Sequence, residues 1–249
     1  MLYYGFYDLD QNQLDLFDEV RRRVPCTVFF PYQDSSGYAF DNTCTLGGMK
    51  QLGAGARGVA VIRHDVEEAE LIRLHDAGMR GVRFMMLSGG VLPWTALEPI
   101  ARRIAPLGWN INLQLDGHDL AQHEAMLAAL PCRLVIDHLG KFLSPVTNES
   151  AGFQALQRLM GRGNCWIKLS APYESSKSGP PGYDDVQWIP ELLAREFPER
   201  CLWASNWPHP NVNPTPRAED MLDWFFAWVP DEATRRKILV ANPAALYGF

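Results

Sequence analysis

The chain has no apolar run approaching the ~20 residues needed to span a bilayer, which argues against a helical membrane anchor. It has no basic excess either. Lysine and arginine total 23 against 29 acidic residues, a net charge of −6, so neither nucleic acid nor an anionic membrane is the expected partner. The five cysteines, Cys26, Cys44, Cys132, Cys165 and Cys201, are odd in number and lack disulfide or zinc spacing. All but Cys44 head short apolar runs, where a thiol packs as a small hydrophobe. The N-terminus "MLYYGFYDLD" turns acidic without a basic region, so no signal peptide is read and a reduced, cytoplasmic location is expected. No repeat, low-complexity tract or linker is found. The 249 residues therefore read as one domain, with residues 1–37 atypical.

What the chain does contain is alternation. Short β-rich runs stand at 26–30, 57–62, 81–86, 110–115, 132–138, 165–170 and 201–205. They are rich in Val, Ile, Phe and Trp without a strict period of two, as strands buried on both faces of a parallel sheet read. Amphipathic stretches separate them. "VEEAELIRLHDAG" is expected to turn Ala69, Ile72 and Leu74 inward and to close on Gly78. "LPWTALEPIARRIAPLG" closes on Gly108, with Pro99 and Pro106 kinking or shortening its helix. An aromatic run at 2–8 supplies an eighth strand. The fold class is then α/β, a (β/α)8 TIM barrel distorted or incomplete at its N-terminal strands.

In such a barrel the chemistry gathers at the C-terminal ends of the strands. Arg83, Gln114 with Asp116, Asp137 with His138, Lys168 with Ser170, and Ser205 with Asn206 all fall there. Each has a plain alternative. Arg83 could pair with Asp137 or Asp116, Lys168 could brace the sheet interior, and His138 could be a bonded core histidine. His64, His75, His118 and His123 read as helix or loop residues. In "WPHPN" two prolines fix the backbone around His209.

In their order, "FDNTCTL", "ARGVAVI", "GMRGVRF", "NINLQLDG", "LVIDHLGK", "WIKLSAPY", "GPPGYDDV", "LWASNWPHPN" and "NPAALYGF" resemble the amidohydrolase-related family, of the 2-pyrone-4,6-dicarboxylate lactonase type, over about residues 38–249. The resemblance implies a distorted barrel that hydrolyses a small lactone or ester. It implies His138 and Asn206 as the catalytic positions. It implies that Arg83 and Ser36 contact substrate and that Asn211 is a loop asparagine at the mouth; Gln114, Tyr173 and His209 are further positions expected to bind substrate, as is Asn211.

Four departures stand against that pattern. The first strand, "YYGFYDLD", lacks the family's His-x-His pair, so no metal and no cofactor is expected. Asn206 stands where the family has a catalytic aspartate, and an amide cannot accept a proton from water near neutral pH; His138, His209 and Asp116 are the other candidates for that task. Two family arginines are replaced by Gly89 and Glu174, which predicts fewer substrate carboxylates, with Glu174 repelling a dicarboxylate and Lys177 compensating in part. Finally, Pro31 interrupts the second strand, and the region before "GYAFDN" is short, as in a truncated or mis-started N-terminus.

The expected activity is a metal-independent hydrolase of a small lactone or related carbonyl compound. Its partner is a small carboxylate or lactone, with room for a homo-oligomer. Two alternatives differ in class: a non-catalytic relative that binds a small organic acid, and a decarboxylase or hydratase on the same barrel.

Overall fold

The computed structural model describes residues 28–30 and 39–249, apart from 208, 210 and 211. The expected strand at 2–8, Cys26, Pro31, Ser36 and Asn211 lie outside them.

Among the described residues, seven strands form one parallel sheet in chain order: β1 (Val28–Phe30), β2 (Ala56–Ala60), β3 (Met79–Met85), β4 (Asn110–Gln114), β5 (Arg133–Ile136), β6 (Cys165–Leu169) and β7 (Cys201–Trp203). Each matches a run read from the sequence. Sequential order with a helical crossover between parallel neighbours is the connectivity of a (β/α) barrel.

The strands are buried on both faces. On β4, Ile111 and Leu113 join the large cluster beneath the helices, as do Leu134 and Ile136 on β5 and Ile167 and Leu169 on β6. The alternate residues Val135, Trp166, Leu202 and Ala204 form a second cluster with Leu246 and Tyr247 of the C-terminal helix. That helix, Asn242–Tyr247, is tied to the start of β7 by Asn242 Nδ2, which donates to the carbonyls of Pro198 at 2.7 Å and Cys201 at 2.8 Å. Asn42 does similar work beyond β2, exchanging bonds of 2.9 and 3.0 Å with the backbone of Val61. The "FDNT" and "NPAA" motifs thus carry structural amides.

Helix α1 (Thr43–Leu52) precedes β2, and α2 (Glu68–Asp76) and α3 (Leu97–Ile104) follow β2 and β3. In α3 the buried residues Leu97, Ile100, Ala101 and Ile104 keep the spacing of one helical face. Pro99 is the third residue of that helix, where a missing N–H has no intrahelical partner to lose, so it costs the helix no hydrogen bond. Pro106 lies in the tightened turn that ends on Gly108 at φ +69°.

The face expected for α2 is corrected. Leu71 and Leu74 are fully buried, Ala69 is exposed and Ile72 is 48% exposed. Successive helical residues are about 100° apart, so a face centred on Leu71 and Leu74 carries Ile72 out to solvent. No helix among the described residues is long and apolar enough to cross a membrane. Cys132, Cys165 and Cys201 are buried thiols, and burial pushes Cys132 up to about 11.

The corrected face predicts a contrast in urea unfolding. Leu71→Ala should lose about 2–5 kcal/mol of stability, whereas Ile72→Ala should change it by no more than about 0.5 kcal/mol. Equal losses would restore the original face.

Candidate active site at the C-terminal ends of the strands

The interior face of the barrel is polar above the Val135–Trp166–Leu202 cluster. Asp137, directly after β5, lies between two cations: Lys168 Nζ is 2.8 Å from Oδ1, and Arg83 Nη1 is 2.6 Å from Oδ2. Arg83 also donates through Nη2 to Gln114 Oε1, and Lys168 donates to Asn112 Oδ1 at 2.7 Å. Asn112 passes the chain on to Asn110 at 2.5 Å, and Asn110 donates to the Arg80 carbonyl at 3.0 Å. Gly81 makes room for this ladder, since a Cβ there would lie 2.6 Å from Asn110 Oδ1.

The side chains of Asp137 and Lys168 have no exposure, and that of Arg83 has 11%. Burial by itself would raise the Asp137 carboxyl; the ammonium of Lys168 and the guanidinium of Arg83 outweigh it and hold the carboxyl well below the usual range. Lys168 is brought down to about 8 by burial, with Asp137 opposing the fall. Arg83 and Lys168 both pair with Asp137 and brace the interior through it. Arg83 and Gln114, both expected at the site, are in direct contact.

A second tier lies on the turns that leave β5, β6 and β7. Eight described residues other than glycine have positive φ, and six of them follow these strands: His138, Leu139, Lys141, Ala171, Asn206 and His209. Such backbone is costly for side-chain-bearing residues and gathers at functional sites. His138 Nδ1 lies 3.1 Å from Ser170 Oγ, joining the β5 and β6 turns. Asn206 Nδ2 donates to the Tyr173 hydroxyl at 2.8 Å, and that hydroxyl is 3.0 Å from His209 Nδ1. The structure thus brings together Asn206, Tyr173 and His209, while His138 is paired with Ser170.

Both rings are held neutral. Burial pushes His138 down to about 3, with Asp137 opposing and the nearby cations assisting, and burial pushes His209 down to about 4. Burial drives the Tyr173 hydroxyl far upward, against the Asn206 hydrogen bond, so it stays protonated. Asp116 caps its own turn, accepting from the backbone N–H of His118 at 3.1 Å and of Leu143 at 3.4 Å. His75 accepts from Trp109 Nε1 at 2.9 Å, His118 pairs with Ser144, and His123 stacks on Trp94.

One electrostatic expectation is corrected. Glu174 is not an unbalanced negative charge, because Lys141 Nζ lies 2.8 Å from its carboxylate and both side chains are mostly buried. Lys177, the expected compensator, is exposed. The left-handed turn after β5 carries Lys141 to the β6 turn, a meeting of residues 33 positions apart that no local spacing signals. Gly89 holds a backbone turn at φ +93°. Asn110 and Asn112 were missed as partners of the charged trio, although their alternation with Gln114 in "NINLQ" marks them for one face. Among the described residues, no three of His, Cys, Asp and Glu form a group able to hold a metal.

The amidohydrolase family model matches residues 21–249. A D-galactarolactone isomerase of Agrobacterium fabrum (strain C58 / ATCC 33970) is 35% identical over 210 residues, covering 83% of this chain and 72% of the isomerase. A 2-pyrone-4,6-dicarboxylate hydrolase of Comamonas testosteroni is 35% identical over 257 residues, covering 93% and 84%. The crystal structure of a probable 2-pyrone-4,6-dicarboxylic acid hydrolase from Acinetobacter baumannii with citric acid bound superposes with a TM-score of 0.80 at 26% identity, covering 98% of this chain and 92% of that one.

The neutral rings predict a pH signature. An unfolded histidine titrates near 6.5, so below that pH the unfolded chain binds protons that folded His138 and His209 refuse. Their contribution to stability is fully present above about pH 6.5 and is lost as the pH falls towards 3–4. In NMR titrations their ring signals should not move between about pH 5 and 8; a midpoint near 6.5 for either would refute the burial argument.

Proposed function

Because the chain belongs to the amidohydrolase family, we propose that it opens the ring of a small lactone bearing one carboxylate, using water and no metal. The observation that carries this reading is the Lys141–Glu174 pair, in which the glutamate at the rim neutralises the lysine beside it. With Gly89 and Glu174 standing where the resembled family has two arginines, that pairing leaves the rim fewer cations for substrate carboxylates, which suits a monocarboxylate better than a dicarboxylate.

Arg83, fixed by Gln114 and Asp137, anchors the substrate carboxylate. Asn206 orients the attacking water. His138 takes the proton that water loses as its oxygen bonds to the lactone carbonyl carbon. The ring C–O bond then breaks, and the departing oxygen regains the proton to leave a hydroxy acid. Low basicity makes His138 a weak acceptor, which favours lactones whose ring oxygen leaves as a stabilised anion. Two imidazoles, bonded to the Ser170 and Tyr173 hydroxyls beside the Asn206 amide, do not fit a catalytic zinc site, which takes a convergent set of His, Cys and carboxylate ligands. No step here runs through a metal.

Asn206 favours a second reading, lactone isomerisation, as in the name of the Agrobacterium relative. A substrate hydroxyl would attack its own ring carbonyl, and its proton would pass to the departing ring oxygen. That reaction needs no carboxylate to activate bulk water.

Purified protein assayed against mono- and dicarboxylated lactones in H2(18)O separates the two. Ring opening places one 18O in the product, and isomerisation places none. Activity should survive chelator, and Arg83→Met, checked for folding by thermal melt, should raise KM for the monocarboxylate about 10–100-fold. Ligand binding without turnover of any lactone would sink both readings in favour of a non-catalytic binder.

A further inference from the structure

The chain Asn206–Tyr173–His209 has a direction, and the residue at position 206 sets it. The Tyr173 hydroxyl owns one proton and accepts from Asn206 Nδ2 at 2.8 Å. Its proton is then directed at its other neighbour, His209 Nδ1, 3.0 Å away. A nitrogen that accepts there is bare, so the ring proton must sit on Nε2. His209 is 3% exposed, and its Nε2 is buried with no hydrogen-bond partner among the described residues. Buried polar groups are seldom left so, and an oxygen acceptor from a bound molecule would satisfy this one. His209 and Asn206 both sit at φ +60°, and the backbone N–H of His209 donates to the Asn206 carbonyl at 2.8 Å, so the short turn holds both ends of the relay.

We propose that Asn206, acting through Tyr173, holds His209 as the Nε2–H tautomer and so makes it a hydrogen-bond donor to a ligand carbonyl or carboxylate oxygen. Tyr173 is a positioning residue, and His209 is the group that meets the ligand. A carboxylate at position 206 would reverse the relay. It would accept a hydrogen bond from the Tyr173 hydroxyl, the hydroxyl oxygen would accept from His209 Nδ1–H, and Nε2 would become a bare acceptor. The substitution of amide for acid therefore changes what the site offers two residues away, from a proton acceptor to a proton donor. The buried ring is neutral, as either tautomer requires.

The tautomer does not depend on any substrate; the donor role towards a lactone oxygen rests on the function proposed above. The test is 15N NMR of histidine-labelled protein, with His209 assigned by its loss in His209→Gln. In the unsubstituted protein the protonated nitrogen should be Nε2, and in Asn206→Asp it should be Nδ1. A proton on Nδ1 in the unsubstituted protein, or the same tautomer in both proteins, overturns the relay. Towards substrate, His209→Gln, which keeps an N–H, should retain kcat/KM within about tenfold, while His209→Leu should lose about a hundredfold. Glutamine as inactive as leucine would overturn the donor role. Failure to turn over any lactone would count against the lactone reading alone, since the NMR result still decides the tautomer.

Discussion

The carboxylate of Asp137, enclosed between Lys168 and Arg83, is the contact on which the interior depends. Bringing three charges out of water is expensive, and the expense is offset only when each finds partners at good geometry. Here the two carboxylate oxygens are divided between two cations, and the amides of Asn112 and Gln114 take further N–H groups of those cations. Removing Asp137 takes away the carboxylate that both buried cations share. The arrangement joins β3, β4, β5 and β6 through side chains at the level where their backbones are about to diverge into loops.

The rim follows from that anchor. Asp137 immediately precedes His138, so fixing the one constrains the other, and the left-handed residues after β5 then direct His138 to Ser170 and Lys141 to Glu174. The turns after β6 and β7 bring Tyr173 to Asn206 and His209. The resulting tier holds two neutral imidazoles, a protonated phenol and an amide. It is better supplied with hydrogen-bond donors than with bases, which is the chemical consequence of having Asn rather than Asp at position 206.

Much of the fold was legible because its cause is local. All seven described strands coincide with β-rich runs, since residues buried on both faces of a sheet must be apolar whatever packs on them. The face of α2 was less plain. Ile72 is as apolar as Leu71, and only contact with the sheet settles which side turns inward. The polar groups at the strand ends were readable as such, and Arg83 with Asp137 stood among the pairings considered. Their allegiances were less accessible. Lys141 and Glu174 meet across two separate turns, and the step from Asn112 to Lys168 crosses from β4 to β6.

By itself the sequence determined which residue types stand at the strand ends, that position 206 has no carboxylate, and that residues 2–8 contain no histidine pair. These are matters of chemical identity, and folding cannot alter them. The tertiary structure decided what those groups have become. It made Asp137 the locked counter-ion of two cations, turned Glu174 from a repulsive charge into half of a neutral pair, and set His209 against the Tyr173 hydroxyl. Charge state and hydrogen-bond direction depend on burial and on neighbours within about 3 Å, and only the folded chain places those neighbours there.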